Sequence, residues 1–159
     1  MRTAGRVFAL VLLLSTIGCD RITKHIAATT LAGSPVRSYF GGIFRLEYAE
    51  NSGAFLSIGA TLPDWARTGF LIFGAAAGLI VVVVASVKLR WVGVPLAGAM
   101  LFVAGGASNL VDRIARGTVV DFMNVGLGSL RTGIFNVADI ALMLGVVLMV
   151  LGSRDKRST

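Results

Sequence analysis

Long apolar runs constrain the fold of this 159-residue chain more than any other feature. Residues 69–87, 91–111 and 134–152 are uncharged or nearly so, and each has about the 20 residues that a helix needs to cross a bilayer. A fourth run, residues 7–19, is short for a span. It crosses if its helix continues to about residue 28, with Arg21 and Lys24 extending towards the far interface.

Composition places these runs in a membrane protein. Hydrophobic residues make up 55% of the chain and charged residues 14%, against about 25% charged in soluble domains. We therefore expect an all-α integral membrane protein with one domain and four transmembrane helices, at about residues 7–28, 69–87, 91–111 and 134–152.

The distribution of basic residues predicts the orientation of the spans. Seven of the 15 basic residues flank apolar runs, at Arg2, Arg6, Lys88, Arg90, Arg154, Lys156 and Arg157. These clusters share one side of the membrane only if there are four spans and both termini are cytoplasmic. Loops 29–68 and 112–133 are then outside. Because the net charge of +7 is explained by topology, we exclude a nucleic-acid partner.

The first outer loop carries a strand pattern. Residues 43–48 alternate roughly between apolar and polar side chains, as in a half-buried strand. Gly41-Gly42 before them and Asn51-Ser52-Gly53 after them are turn signals. Pro63-Asp64 suits the start of the second transmembrane helix. We expect a small extracytoplasmic loop domain that contains β-structure.

With this topology, nearly every unusual polar residue falls at the outer membrane face. Asn109, Asp112, Arg113 and Arg116 share one face of a helix, by their spacing of three, four and seven residues. Asn136 lies three residues before Asp139 in the fourth span. The other members of the group are Asp20, Lys24, Asn51 and Asp121.

Asp121 and Asp139 stand out because a carboxylate in or beside hydrocarbon is costly and usually marks a functional site. If the two carboxyls meet, they would share a proton, which is the chemistry of an aspartic peptidase. Two simpler interpretations remain open. Asp139 suits the positive end of a helix dipole, and Asp121 suits a solvated loop.

The neighbouring polar residues also have structural interpretations. Asp20 and Lys24 are spaced as a helical ion pair, and Arg113 suits neutralisation of Asp112 or binding of a lipid phosphate. Asn109 and Asn136 suit hydrogen bonds between helices. Gly105, in the small-residue run 104–108, allows close approach of helices.

The sequence offers few residues for metal binding or redox chemistry. Cys19 is the only cysteine, which excludes an internal disulfide and a zinc site with several cysteine ligands. With one histidine and two glutamates in the chain, we expect no metal and no cofactor.

Five short motifs follow one another along the chain, each near the predicted outer face. They resemble the blocks of bacterial lipoprotein signal peptidase, also called signal peptidase II, and the last two resemble those that hold the catalytic aspartates of that family. Ser108 stands where the family often has glycine. The motifs are Asp20-Arg21-Ile22-Thr23-Lys24, Asn51-Ser52-Gly53-Ala54-Phe55, Gly105-Gly106-Ala107-Ser108-Asn109-Leu110-Val111-Asp112-Arg113, Val119-Val120-Asp121-Phe122 and Phe135-Asn136-Val137-Ala138-Asp139.

The resemblance implies an aspartic endopeptidase of the bacterial plasma membrane that needs no metal. It implies cleavage of prolipoproteins on the N-terminal side of a diacylglyceryl-modified cysteine, with Asp121 and Asp139 as the catalytic pair. Asn51 and Arg113 would line the substrate site, and Asn109 and Asn136 would position the loop and the pair.

By the same resemblance, Asp20, Lys24 and Gly105 serve as structural support. Beyond the lipidated substrate and membrane lipids we expect no partner, and we expect a monomer.

Three other interpretations remain. Residues 16–19 resemble the end of a lipoprotein signal peptide, which would make the chain a substrate lipidated at Cys19. Asp139 would suit the ion pathway of a small transporter subunit, although such a pathway places polar residues through the whole membrane. A serine–lysine peptidase would use Ser108 or Ser57 with Lys24.

Overall fold

The computed structural model describes residues 3–53 and 63–155, with the chain folded into four helices and a small antiparallel sheet within these ranges. The mostly helical class with a β-containing segment agrees with the prediction. The helices are α1 (Thr3–Thr30), α2 (Asp64–Lys88), α3 (Val94–Arg116) and α4 (Val137–Asp155). The strands are β1 (Arg37–Tyr39), β2 (Phe44–Asn51), β3 (Val119–Leu127) and β4 (Leu130–Arg131).

Helix α3 is the centre of the bundle and packs against α1, α2 and α4. Its contact with α4 is the most extensive and depends on glycines. A Cβ atom on Gly98 would lie 2.7 Å from the carbonyl oxygen of Gly145, and one on Gly145 would lie 2.7 Å from that of Gly98. Small residues at such crossings let two backbones approach closely, which favours helix association in lipid.

Large apolar side chains on the outside of the bundle fit a lipid environment. Phe8, Phe70, Phe73 and Met143 are each at least 60% exposed, whereas exposed apolar surface in soluble monomers is confined to small patches. Two helices, Trp65–Lys88 and Val94–Arg116, are long and apolar enough to cross a membrane, and Val137–Ser153 forms a shorter apolar helix. The predicted segments 7–28 and 69–87 lie within α1 and α2, whereas α3 and α4 each begin three residues later than the predicted segments 91–111 and 134–152.

The two ends of the helix bundle are formed by different segments of the chain. Gly5 and Phe8 border the same hollow as Val92 and Val94, and Pro95 packs against Gly152 near the end of α4. The beginning of α1, the α2–α3 link and the end of α4 therefore lie at one end. The sheet connects helix ends at the other.

Helix α2 begins after Pro63, as predicted, and ends in a tight left-handed turn. The N–H of Arg90 donates to the carbonyl of Val87 (3.1 Å), and the N–H of Trp91 donates to that of Ser86 (3.0 Å). These two bonds make a Schellman motif. The turn places Arg90 at φ 47°, a conformation that costs a residue other than glycine about 1–2 kcal/mol.

The sheet has the order β1-β2-β3-β4 with antiparallel neighbours. Strand β2 contains the predicted strand at 43–48 and continues to Asn51, where the sequence indicates a turn. Strand β3 was not predicted, because the segment around Asp121 was interpreted as loop. In the register Ala49 faces Asp121 and Asn51 faces Val119.

The segment before α4 is bound to the side of β3. The N–H groups of Phe122 and Met123 both donate to the carbonyl of Phe135, and the N–H of Phe135 donates to the carbonyl of Met123 (2.8 Å). Phe122 also packs with Ala27 and Leu31 near the end of α1. These contacts hold the beginning of α4 against β3, and so place Asn136 beside Asp121.

Candidate active site

Asp121 and Asp139 converge on a single asparagine. Asp121 lies in β3 and Asp139 in the first turn of α4. The side-chain amide of Asn136 donates to Oδ1 of Asp121 (2.6 Å), and the backbone N–H of Asn136 donates to Oδ2 of Asp139 (3.0 Å). The structure thus brings together the two carboxyls that the sequence singled out.

Each of the four carboxyl oxygens accepts one amide N–H. Besides the two bonds from Asn136, Oδ2 of Asp121 accepts from Nδ2 of Asn51 (2.9 Å), and Oδ1 of Asp139 accepts from Nδ2 of Asn109 (2.8 Å). A carboxyl oxygen has a second lone pair, so a proton or a water molecule has room on either residue. The donors fix the orientation of the pair and leave it available for proton transfer.

A capping box at the start of α4 fixes Asp139. The N–H of Asp139 donates to Oδ1 of Asn136 (2.9 Å), which reciprocates the bond from the backbone N–H of Asn136 to Asp139. Such reciprocal bonds satisfy N–H groups that a helix start leaves free. Helix α4 accordingly begins at Val137, three residues later than the predicted span.

Asn51 reaches Asp121 across the sheet. Ala49 is the direct partner of Asp121, so Asn51, two residues on, is its diagonal neighbour on the same face. The Oδ1 atom of Asn51 accepts the N–H of Gly53 (2.8 Å), which turns its NH₂ group towards the carboxyl. The predicted substrate-binding motif continues into Ala54 and Phe55, which lie outside the described residues.

The environment of Asp121 favours the protonated carboxyl more than water does. Its side chain is 2% exposed. Burial, and secondarily the nearby charge of Asp139, raise its pKa from 3.8 to about 6, against the lowering effect of the bonds from Asn51 and Asn136. The charge of a neighbouring carboxylate thus adds to burial in favouring the protonated form of Asp121.

Behind Asp139 lies a buried cluster of charges centred on Lys24. The Nζ atom of Lys24 lies 2.8 Å from Oδ2 of Asp20, 2.7 Å from Oδ2 of Asp112 and 2.7 Å from Oδ1 of Asn109. An ammonium group only donates hydrogen bonds. The carbonyl of Asn109 must therefore face Lys24, and its NH₂ group faces Asp139.

Asp20 connects the cluster to α4. Its Oδ1 accepts the N–H of Ala138 (2.9 Å), and its Oδ2 accepts the hydroxyl of Ser108 (2.6 Å). Asp20, Ser108 and Asp112 are each at most 2% exposed. A buried carboxylate is tolerated when it is paired and fully hydrogen-bonded. Asp20 and Lys24 thus hold α1, α3 and the beginning of α4 together beside the aspartate pair.

Arg21 is a member of this cluster that the sequence interpretation missed. Its Nη1 lies 2.5 Å from Oδ1 of Asp112, and its Nη2 donates to the carbonyl of Ser108 (2.9 Å). The ion pairs of Asp112 are thus made by Arg21 and Lys24, and Arg113 contributes to its environment only through a longer-range charge interaction. Arg21 lies three residues before Lys24 on the same helix face, and this spacing could have identified Arg21 as a member of the cluster.

Arg113 is half-buried on α3. The charges of Asp139, Asp121 and Asp112 are near enough to interact with its guanidinium. Within residues 3–53 and 63–155 its buried Nε atom has no hydrogen-bond partner.

Gly105 lies on α3, where an added Cβ would collide with the carbonyl oxygen of Ala138. It therefore permits the contact between α3 and the first turn of α4.

The structure bears on the alternative chemistries. Ser108 donates to Asp20 rather than to Lys24, and Lys24 is held by its three acceptors, so the two do not form a serine–lysine pair. Ser57 lies outside the described residues. Helix α1 runs unbroken through Cys19. Across the described part of the chain, no group of three or more His, Cys, Asp or Glu side chains is arranged to hold a metal ion.

Comparison with known proteins gives a consistent result. The sequence profile of the family "Signal peptidase (SPase) II" matches residues 12–154. The chain is 35% identical over 149 residues to the lipoprotein signal peptidase of Sphingopyxis alaskensis, covering 92% of this chain and 82% of the relative. It is 34% identical over 142 residues to that of Streptococcus thermophilus, covering 89% and 88%.

Solved structures show the same fold. Two of them, each described as a bacterial membrane enzyme determined by the in meso method, superpose on this chain with TM-scores of 0.79 and 0.77. The first is 24% identical and covers 95% of this chain and 90% of its own. The second is 26% identical and covers 91% and 90%.

Proposed function

The chain belongs to the signal peptidase II family, and we propose that it is an aspartic endopeptidase in which Asp121 and Asp139 form the catalytic dyad. It removes the signal peptide from prolipoproteins, cutting on the N-terminal side of the diacylglyceryl-modified cysteine. The observation that supports this most is the bridge of Asn136 between the two carboxyls. A pair that only capped a helix or faced solvent would not need donors on all four oxygens.

In this proposal the dyad holds one proton. The raised pKa of Asp121 favours Asp121 as the protonated member, which polarises the carbonyl of the scissile bond. Asp139, as the carboxylate, takes a proton from a water molecule that attacks the carbonyl carbon. The C–N bond then breaks, the new carboxyl keeps the water oxygen, and the amine of the modified cysteine receives a proton through the dyad.

The neighbouring residues have supporting roles. Asn51 and Arg113 line the substrate site, because each borders the dyad and Arg113 retains an unpartnered N–H among the described residues. Asn109 and Asn136 position the carboxyls. Asp20, Lys24 and Gly105 maintain the packing of α1, α3 and α4 behind them.

We further propose that the chain is a monomer in the bacterial plasma membrane with four spans, at about residues 7–28, 69–87, 91–111 and 134–152, in a single domain. Both termini are cytoplasmic, and loops 29–68 and 112–133 face outward. Two features support this arrangement. Lys88 and the α2–α3 link with Arg90 lie at the same end of the bundle as the beginning of α1 and the end of α4, and the dyad lies at the opposite end. The scissile bond of a lipid-modified substrate is presented at that interface.

The experiment that tests the reaction class uses a synthetic propeptide carrying a diacylglyceryl cysteine, cleaved by the purified full chain in H₂¹⁸O with hydroxylamine present. Direct attack by water gives a carboxylate with one ¹⁸O and no hydroxamate, as mass spectrometry of the released signal peptide will show. The matched control is the same peptide with an unmodified cysteine, which we expect to remain uncut. A hydroxamate product would indicate an acyl-enzyme on a serine and contradict the proposal.

A further inference from the structure

An apolar crevice of about 670 Å³ lies at the end of the bundle away from the dyad. Its walls come from α1 and α2, its floor from α3 and its mouth from the α2–α3 link. It adjoins a second hollow of about 590 Å³ that shares Ala9, Val92 and Leu96 with it. Twelve helical residues separate Leu96 from Ser108 at the dyad end, about 18 Å at 1.5 Å per residue. The crevice is thus well separated from the catalytic cluster.

The side chains that line the crevice are mostly apolar, except at its mouth, and can therefore contact a hydrocarbon chain. Leu13, Val87 and Met100 are among the apolar side chains that form it. Ser86 also borders it, but its hydroxyl donates to the carbonyl of Val83 (2.7 Å) and is satisfied. Among the described residues that line the crevice, Arg90 alone is charged. An apolar crevice with a single cation at its entrance matches part of an acyl chain that ends in an anionic group.

The turn that holds Arg90 does not require an arginine. Its left-handed conformation at φ 47° is the one that glycine or asparagine adopts at the end of a helix. The neighbouring bonds of the Schellman motif involve only backbone atoms. The local fold therefore does not account for an arginine at the mouth of the crevice. A basic residue here fits the predicted cytoplasmic side of the membrane, and its guanidinium is also available to a ligand.

Within the described part of the chain, Arg90 forms no ion pair with an acidic side chain. The charged cluster of Arg21, Lys24, Asp20 and Asp112 lies at the other end of the bundle. The guanidinium of Arg90 is exposed. A guanidinium binds phosphate with two parallel hydrogen bonds, a geometry that an ammonium group does not reproduce.

We propose that the crevice binds an anionic phospholipid from the leaflet on the side of the α2–α3 link, with an acyl chain between α1 and α2 and its phosphate on Arg90. This inference is independent of the catalytic proposal. Trp91, which also borders the crevice, lies next to the expected phosphate and provides a reporter.

Fluorescence quenching tests the proposal. The chain has two tryptophans, and Trp65→Phe leaves Trp91 as the only one. The full-length protein is reconstituted in phosphatidylcholine vesicles in which either brominated phosphatidylglycerol or brominated phosphatidylcholine replaces part of the lipid. We expect the anionic quencher to act at about a fivefold lower mole fraction, the preference that one basic residue near a surface confers. Equal quenching by the two lipids would overturn the proposal.

Matched variants separate a site from general surface charge. Arg90→Gln and Arg90→Gly should both abolish the preference for phosphatidylglycerol, and Arg90→Gly also keeps the turn in its favoured conformation. Lys88→Gln removes the same charge two residues away, from an exposed side chain that does not border the crevice, and should retain the preference. An equal loss in Lys88→Gln, or an unchanged preference in Arg90→Gly, would contradict a specific site. Quenching that falls as the protein-to-lipid ratio rises would place a second copy of the chain in the crevice and also overturn it.

Discussion

Replacement of Asp121 by asparagine tests the electrostatics of the buried dyad through stability rather than catalysis. Asparagine has the shape of aspartic acid and stays neutral at every pH. In the folded protein burial and the nearby Asp139 raise the pKa of Asp121 from 3.8 to about 6. The wild-type carboxyl therefore prefers to be protonated when folded, and the variant removes this titration.

The sign and size of the effect follow from linkage between folding and proton binding. Because the pKa is higher in the folded state, the stabilising contribution of the proton is complete below about pH 4. It is lost as the pH rises through about 6. A pKa raised from 3.8 to about 6 corresponds to about 3 kcal/mol at 1.36 kcal/mol per pH unit. Between pH 4, where the unfolded carboxyl is already partly ionised, and pH 7, Asp121→Asn should gain about 2.5 kcal/mol of unfolding free energy relative to wild type.

The assay is reversible unfolding of the detergent-solubilised protein by sodium dodecyl sulfate, followed by circular dichroism from pH 4 to pH 7.5. The informative quantity is the difference between variant and wild type at each pH, because the other titrating groups mostly cancel. Glu50→Gln, which alters an exposed carboxyl of the same sheet, controls for loss of negative charge. A difference that stays flat across this range, or that falls with rising pH, would refute the account of the dyad.

Three further substitutions test the surroundings of the dyad. Gly105→Ala should lower kcat/KM at least tenfold, since its Cβ would displace the first turn of α4. Gly106→Ala, whose Cβ meets only the flexible side chains of Leu79 and Leu142, should keep near-normal rates in the same peptide assay. Lys24→Met should destabilise the fold by about 3–5 kcal/mol in unfolding titrations, because it leaves buried carboxylates without their cation. Asn51→Ala removes a bond that lowers the pKa of Asp121, so the pH–rate profile should shift to higher pH; a profile that is unchanged or shifts lower would contradict this role.

The proximity of Asp121 and Asp139 was predictable because the predicted topology places both residues at the same membrane face. Hydrophobic runs and basic clusters place polar residues at one face, and few places remain for two isolated acids. The contacts between side chains of different helices were harder to predict from the sequence. The spacing of Asn109, Asp112 and Arg113 shows that they share a face of α3, but it does not reveal which face of α1 approaches. Arg21 was therefore missed as the partner of Asp112.

Local signals near the dyad were present but ambiguous. The β-branched pair before Asp121 fits a strand, yet an isolated acid in a short segment also fits a loop, and only pairing with β2 decides between them. The pattern Asn-x-x-Asp at residues 136–139 is that of a helix start, which places the beginning of α4 at Val137 rather than at 134. Apolarity alone extended the predicted span backwards through Phe135, whose backbone instead pairs with β3.

If Asp121 and Asp139 act as one catalytic unit, this will be visible in the cleavage of the diacylglyceryl propeptide by Asp121→Asn, Asp139→Asn and the double variant. Groups that act as a unit have effects that do not add. We predict that each single variant loses at least about 10³-fold in kcat/KM while keeping the wild-type circular dichroism spectrum. The double variant should be no slower than the slower single variant. Retention of more than a tenth of the wild-type rate by either folded single variant, or multiplication of the two losses in the double variant, would contradict the account.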